Sequence, residues 1–165
     1  ETVKFGKPTL LGAVTGAVIG LVAITPGAGY VPIWASVVIG AAVCPLCFFF
    51  MTKVKPFFGY DDALDAFGCH GIGGIWGGIA TGLFAHTSVN PAVQWNGLAF
   101  GETRLIVAQL ESIAITIALA VGATFVIMTV LKRVMDVKVT KEDEQLGLDY
   151  SEHHEMAYPA FNGLD

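Results

Sequence analysis

Three long stretches of this chain carry no formal charge. No Asp, Glu, Lys or Arg stands between Lys7 and Lys53, from Ala66 to Gly101, or from Ser112 to Leu131. Apolar runs of about 18 or more residues fit membrane-crossing helices, because about 20 helical residues cover a hydrocarbon core about 30 Å thick. The pattern predicts four such helices. The first covers 8–24 and opens on Pro8, whose missing N–H would be unpaired there in any case. It closes at TPGAGYVP, a run of turn residues. The second covers 31–51, with Pro45 as a kink. The third covers 62–85. The fourth covers 103–134, longer than a perpendicular crossing needs, so it tilts or projects beyond the bilayer. The fold class expected is an all-α integral membrane protein, with a transmembrane region over 1–136 and a polar tail over 137–165.

Composition strengthens this picture. The 165 residues suffice for one domain. They are 54% hydrophobic and 14% charged, with a mean hydropathy of +0.65, where a soluble domain carries about 25% charged residues. The net charge of −5 arises in the tail after Asp136. No basic stripe is present, which argues against nucleic acid as a partner. Glu1 is not a start methionine and no signal peptide precedes it, so a processed chain or a piece of a longer one is expected.

The cations set an orientation. Lys4 and Lys7 precede the first helix, Lys53 and Lys55 follow the second, and Lys132, Arg133, Lys138 and Lys141 follow the fourth. With four crossings these regions share one side, while the other side offers only Arg104. The positive-inside rule makes the lysine-rich side, and both ends of the segment, cytoplasmic.

Glycines recur every four residues at Gly12, Gly16 and Gly20, and again at Gly74, Gly78 and Gly82. Each trio lies on one helix face, where small residues let backbones approach in lipid. His70, four residues before Gly74, shares that face and is expected to point into a helix bundle. An ionisable side chain inside a span is a functional candidate by default. An imidazole donates from one ring nitrogen and accepts at the other, so it suits guiding a small polar molecule, relaying a proton or holding a metal. The bland alternative is a histidine bonded to a neighbouring carbonyl.

The other polar features read as structural. Asp61, Asp62 and Asp65 suit capping and the helix dipole, and His86 suits an interface position. Glu111 is expensive in a span unless paired or hydrated; it either faces a vestibule or bonds another helix, and a structural role is expected. The spacing Cys44-Pro-Leu-Cys47 lies in a hydrophobic run rather than beside a βαβ pattern, so packing is expected. The triplet Asn90-Pro91-Ala92 matches a water-channel motif, but a single copy in a loop lacks the context that motif needs. A haem would want paired histidines across spans, and no other span offers one. No cofactor, metal or catalytic residue is therefore expected.

The stretch DDALDAFGCHGIGGIWGGIATGLF, preceded by GKPTLLGAVTGAVIGLVAITPGAGYV and followed by QLESIAI and EDEQLGLDYSEH…EMAY, resembles the ammonium transporter family, which includes methylammonium permeases and Rhesus proteins. The resemblance covers nearly the whole chain and is closer to the ammonium transporters than to the Rhesus branch. It implies an eleven-span fold of two inverted halves and a long final helix, of which this chain would be spans eight to eleven plus the cytoplasmic tail. It also implies homotrimers with one apolar pore per subunit, and a substrate site near the repeat interface.

By its place in FGxHGxGG, His70 matches the second of two pore histidines. The first, the aromatic gate and much of the outer cation–π recruitment site would lie in the other half. Ala66 matches a pore-lining valine, and Thr15 is placed at the cytoplasmic exit. Gly147 and Asp149 match a GLD element of the regulatory tail, and a PII-type signalling protein is an implied partner on the cytoplasmic face. The implied function is passage of ammonium, ammonia and methylammonium across the cell membrane, without enzymatic chemistry. The alternative is a non-conducting ammonium sensor built on the same membrane part. The chain departs from the pattern at Cys69, at Ala66, and at His153-His154, where the family reads His-Gly.

Overall fold

Thr9, rather than Pro8, opens the first helix. The computed structural model describes residues 6–155, which contain helices and no strand. In α1, Leu10–Ile24, the Thr9 hydroxyl accepts from the Gly12 N–H at 2.9 Å, pairing one donor that the first turn leaves unsatisfied. A 3₁₀ turn over Thr25–Gly27 follows. The Tyr30 and Val31 N–H groups donate to the Gly27 carbonyl and close the reversal.

Helix α2, Ile33–Phe49, starts at Pro32 and runs through Pro45. It does not stop near residue 51. A π-wound turn over Phe50–Val54 carries it into the short α3, Lys55–Phe58, which Gly59 ends in a left-handed conformation. The third predicted element starts later than expected, with a π-wound stretch over Phe67–Ile72 that continues into α4, Gly73–Phe84. A loop and a 3₁₀ turn over Leu98–Phe100 lead to α5, Arg104–Val134. Among the described residues three helices are long and apolar enough to cross a membrane: Leu10–Gly27, Ile33–Phe58 and Arg104–Val134. The segment carrying His70 is not among them; seven of α4's twelve residues are Gly, Ala or Thr, too small or too polar for a high hydropathy.

The chain forms two compact units, 1–117 and 118–165. In the first, α1, α2 and α4 pack on one another. The core consists of Ile19 and Ala23 from α1, Val31, then Ala35, Ile39, Val43 and Cys47 from α2, with Cys69 and Ala80. The α2 residues fall at intervals of four, so one face of that helix is buried. Trp76 reaches across and donates from Nε1 to the Ile39 carbonyl at 3.1 Å. Cys44 Sγ lies 3.7 Å from the Gly16 carbonyl.

Close packing falls on two rows of α4 glycines, of which the sequence pattern predicts only one. A Cβ at Gly77 would lie 2.5 Å from the Ala23 carbonyl oxygen, and one at Gly73 would meet Val22 at 3.3 Å. This pair faces α1. Gly78 and Gly82 face Ile113 and Ile106 of α5, as their trio predicts, but Gly74 has nothing within 4 Å. Gly16 and Gly20 also face open space within this chain. The four-residue period marks one packed row of α4 and misses the adjacent row at Gly73 and Gly77, which meets a different neighbour.

In the second unit, the remainder of α5 is followed by α6, Lys141–Leu146, and α7, Leu148–His153. The Thr140 hydroxyl accepts from the Asp143 N–H and donates to the Asp143 carboxylate at 2.6 Å, capping α6. Gly147 joins the two helices at φ +94°, a conformation available to glycine at little cost.

Replacing Gly77 with alanine puts a methyl against a backbone carbonyl that cannot rotate away. We expect Gly77→Ala to destabilise the full-length protein by about 1–3 kcal/mol, read as a lower unfolding midpoint in detergent. An unchanged midpoint would show that this approach has slack.

Candidate functional site

The aspartate cluster before α4 divides its work. The Asp62 carboxylate accepts from the N–H groups of Ala66 at 2.8 Å and Phe67 at 3.0 Å. It therefore caps the helical segment as expected, and ordered helix begins at Ala66 rather than Asp62. Asp65 does something else. Its carboxylate accepts from Lys55 Nζ at 2.7 Å, and the same ammonium donates to the Asp62 carbonyl at 2.6 Å. Asp65 holds a left-handed backbone, φ +54°, and its own carbonyl accepts from the Cys69 N–H at 2.9 Å.

The π-wound stretch built on this start is tightly supported on one side. A Cβ at Gly68 would lie 2.6 Å from Met51, and the Phe67 ring lies over Gly71. Tyr60 stands edge-on to Phe67 with ring centroids 5.9 Å apart. Gly68, Cys69 and Gly73 are buried, and Cys69 belongs to the core. Each residue turns the side chain by about 100° in an α-helix, somewhat less in a π turn. With Cys69 inward, His70 turns outward.

His70 is accordingly exposed on this chain, together with Ala66 one turn earlier. No helix of this chain covers it: Gly73 and Gly77 meet α1 and Gly78 meets α5, while Gly74, one turn after His70, has open space beside it. Among the described residues no hydrogen bond to the His70 ring is formed, and none joins Thr15, Ala66 and His70 to one another. Thr15 is half-buried on α1. Ala66, His70 and Gly74 thus form an open strip with small neighbours on either side of the imidazole, suited to being covered by further protein.

The remaining candidates are local. Glu111 is exposed on α5. Ala92 N–H donates to Asn90 Oδ1 at 3.0 Å, so the Asn-Pro-Ala triplet folds as a turn closed by its own asparagine. His86 donates its backbone N–H to the Tyr30 carbonyl, stacks edge-on with Phe100 at 4.4 Å and takes the Ser88 N–H on Nδ1 at 3.1 Å. The three cysteines are free thiols, Cys47 and Cys69 both buried. Among the described residues no group of three or more His, Cys, Asp or Glu is placed to hold a metal.

Two features had no counterpart in the sequence reading. One is the Lys55 contact across ten residues of chain; a salt bridge between loop segments has no periodicity to reveal it. The other is a cavity of about 280 Å³ at the far end of α4, lined by Pro26, Tyr30, Thr81, Ala85, Trp95 and Gln109 among others. In the tail, Asp149 sits in the first turn of α7, and His154 ends that helix at φ +53°. A left-handed position of this kind favours glycine, which gives a physical reason for the His-Gly pattern from which this chain departs.

The fold is thus an all-helical membrane type with long apolar helices closed on glycine. The Ammonium Transporter Family model matches residues 1–158. The chain belongs to that family, whose members are multi-pass membrane proteins. It is 53% identical over 152 residues to the ammonium transporter of Bacillus subtilis, covering 92% of this chain and 37% of that protein. It is 42% identical over 156 residues to ammonium transporter Amt1 of Archaeoglobus fulgidus, covering 93% and 38%. The crystal structure of Candida albicans Mep2 aligns with a TM-score of 0.77 at 29% identity, covering 86% of this chain and 32% of that one. Saccharomyces cerevisiae Mep2 aligns at 0.74. The chain therefore spans well under half the length of these relatives.

The cap makes a specific prediction. Asp62→Ala leaves two N–H groups without their acceptor and should cost about 0.5–2 kcal/mol, whereas Asp62→Asn, itself a good cap, should cost less. The comparison is made by thermal unfolding of the full-length protein in detergent; equal losses would show that charge, not capping, is what Asp62 supplies.

Proposed function

We propose that this chain is the part of an ammonium transporter that supplies one wall of its substrate path, and that His70 is the polar group on that wall. The observation that carries the reading is the exposed Ala66–His70–Gly74 strip in a chain belonging to this family and well under half its relatives' length. A polar ring in a span, without a local partner and with small residues on either side, fits a surface lined by other helices. Lipid alone would leave its ring nitrogens unpaired at a cost of several kcal/mol.

The chemistry follows from desolvation. A bare ammonium ion in a dry apolar passage loses hydration worth tens of kcal/mol in the Born limit. Ammonia is neutral and needs only hydrogen-bond partners. An imidazole offers both a donor and an acceptor, so the proton is given up before the apolar section and the neutral molecule passes along the ring. Methylammonium follows the same route, with Ala66 leaving more room than a valine would and Thr15 lining the exit. In this reading the chain is the C-terminal part, spans eight to eleven, of a homotrimeric cell-membrane protein. The lysine-rich side and both ends of the segment are cytoplasmic. The tail over 137–165, with Gly147 as its hinge and Asp149 at the start of α7, passes regulation to the pores and offers a face to a PII-type signalling protein. No enzymatic step is involved.

The test is made in the full-length protein, reconstituted in liposomes. If one ring hydrogen bond lowers the barrier by about 1–1.5 kcal/mol, His70→Ala slows methylammonium uptake about tenfold. A wild-type rate with wild-type selectivity against potassium would remove His70 from the path. Binding of ammonium with no flux by the unmodified protein would favour a sensor instead.

A further inference from the structure

We propose that Lys55 is a positioning residue for His70, a role that rests on the reading of His70 given above. The connection runs through bonds. Lys55 follows the π-wound turn Phe50–Val54 and reaches over the intervening loop to Asp65 Oδ1 at 2.7 Å and the Asp62 carbonyl at 2.6 Å. Those two residues hold the start of the His70 segment: Asp62 caps Ala66 and Phe67, and the Asp65 carbonyl receives the Cys69 N–H. His70 is the next residue.

Three features show that the ammonium acts as a clip rather than as a loose surface ion pair. Its Nζ has two partners, one of them a backbone carbonyl, so it fixes main chain as well as side chain. Both side chains of the pair are partly shielded, at 26% and 37% exposure. Asp65 also sits at φ +54°, a backbone that a non-glycine residue keeps only where its surroundings hold it. The second anchor of the same stretch, Met51 against Gly68, comes from the turn just before Lys55. The end of the second span and the start of the histidine segment are therefore locked in two places. Met51 fixes their spacing, and Lys55 fixes the direction in which the first turn leaves the loop. Releasing Lys55 lets that turn rewind, and the imidazole swings with it.

The experiment uses the full-length transporter in proteoliposomes, with Lys55→Met, Lys55→Arg, Asp65→Asn, the Lys55→Met/Asp65→Asn pair and His70→Ala. Lys55→Met and Asp65→Asn should each lower the maximal methylammonium rate about tenfold at an unchanged KM. Both should speed amide exchange in a peptide covering 62–72 and leave one covering 76–84 at the wild-type rate. Lys55→Arg should restore rate and protection, and the double variant should be no slower than either single one. Should Lys55→Met fail to assemble, Asp65→Asn carries the same test. A wild-type rate and protection in Lys55→Met, beside a slow His70→Ala, overturns the positioning role and leaves the function standing. So does a raised KM at an unchanged maximal rate, which would mean that Lys55 meets the substrate itself. A wild-type rate in His70→Ala overturns both.

Discussion

The contact between Gly77 and the carbonyl of Ala23 sets the spacing on which the rest of the first unit depends. Helices in lipid gain little from hiding apolar surface, since acyl chains are as apolar as leucine, and cohesion comes from close van der Waals contact. Helix α4 obtains that contact on two sides without side chains of its own. Gly73 and Gly77 admit α1, and Gly78 and Gly82 admit α5. The four-residue step within each pair keeps it on one face, and the offset between pairs turns the second face toward the second neighbour. Bulk on either row would push α4 out of the seam.

Polar groups in these helices follow a second rule. Thr25, Thr52, Thr81 and Thr129 each return their hydroxyl to the carbonyl four residues back, and Ser36 does so three back. Such residues satisfy themselves and need no neighbour. Trp76 is too long for that and uses the Ile39 carbonyl of another helix instead. His70 does neither: its ring nitrogens have no hydrogen-bond partner among the described residues and are left for whatever covers that face.

Much of this was legible in the residues. Uncharged runs marked α1 and α5 to within a few positions, since exclusion of charge is a strong and simple signal, but not the continuation of the second span past residue 51 to Phe58. Capping at Asp62 was legible because an N-cap depends on neighbours close in sequence. The facing of α4 was not. Gly73, Gly74, Gly77 and Gly78 form two rows of equal regularity, and only the positions of α1 and α5 decide between them. The π-wound turns were equally hidden, because winding of this kind is set by contacts such as Met51 on Gly68 and not by composition. Family motifs located His70 without fixing its direction. The loop that Lys55 closes joins residues ten apart with no repeat to betray them, so it emerged only from the coordinates.

The winding at Phe67–Ile72 carries an implication for how such a segment changes. A π turn holds one residue more than an α turn over a similar rise, the state reached when a helix absorbs a single-codon insertion without shifting its ends. Removing one residue there would let the turn tighten to α winding, changing the facing only of side chains within it while both flanks keep theirs. One insertion or deletion event could thus re-aim the imidazole while leaving both glycine seams in register, an inexpensive evolutionary dial on selectivity.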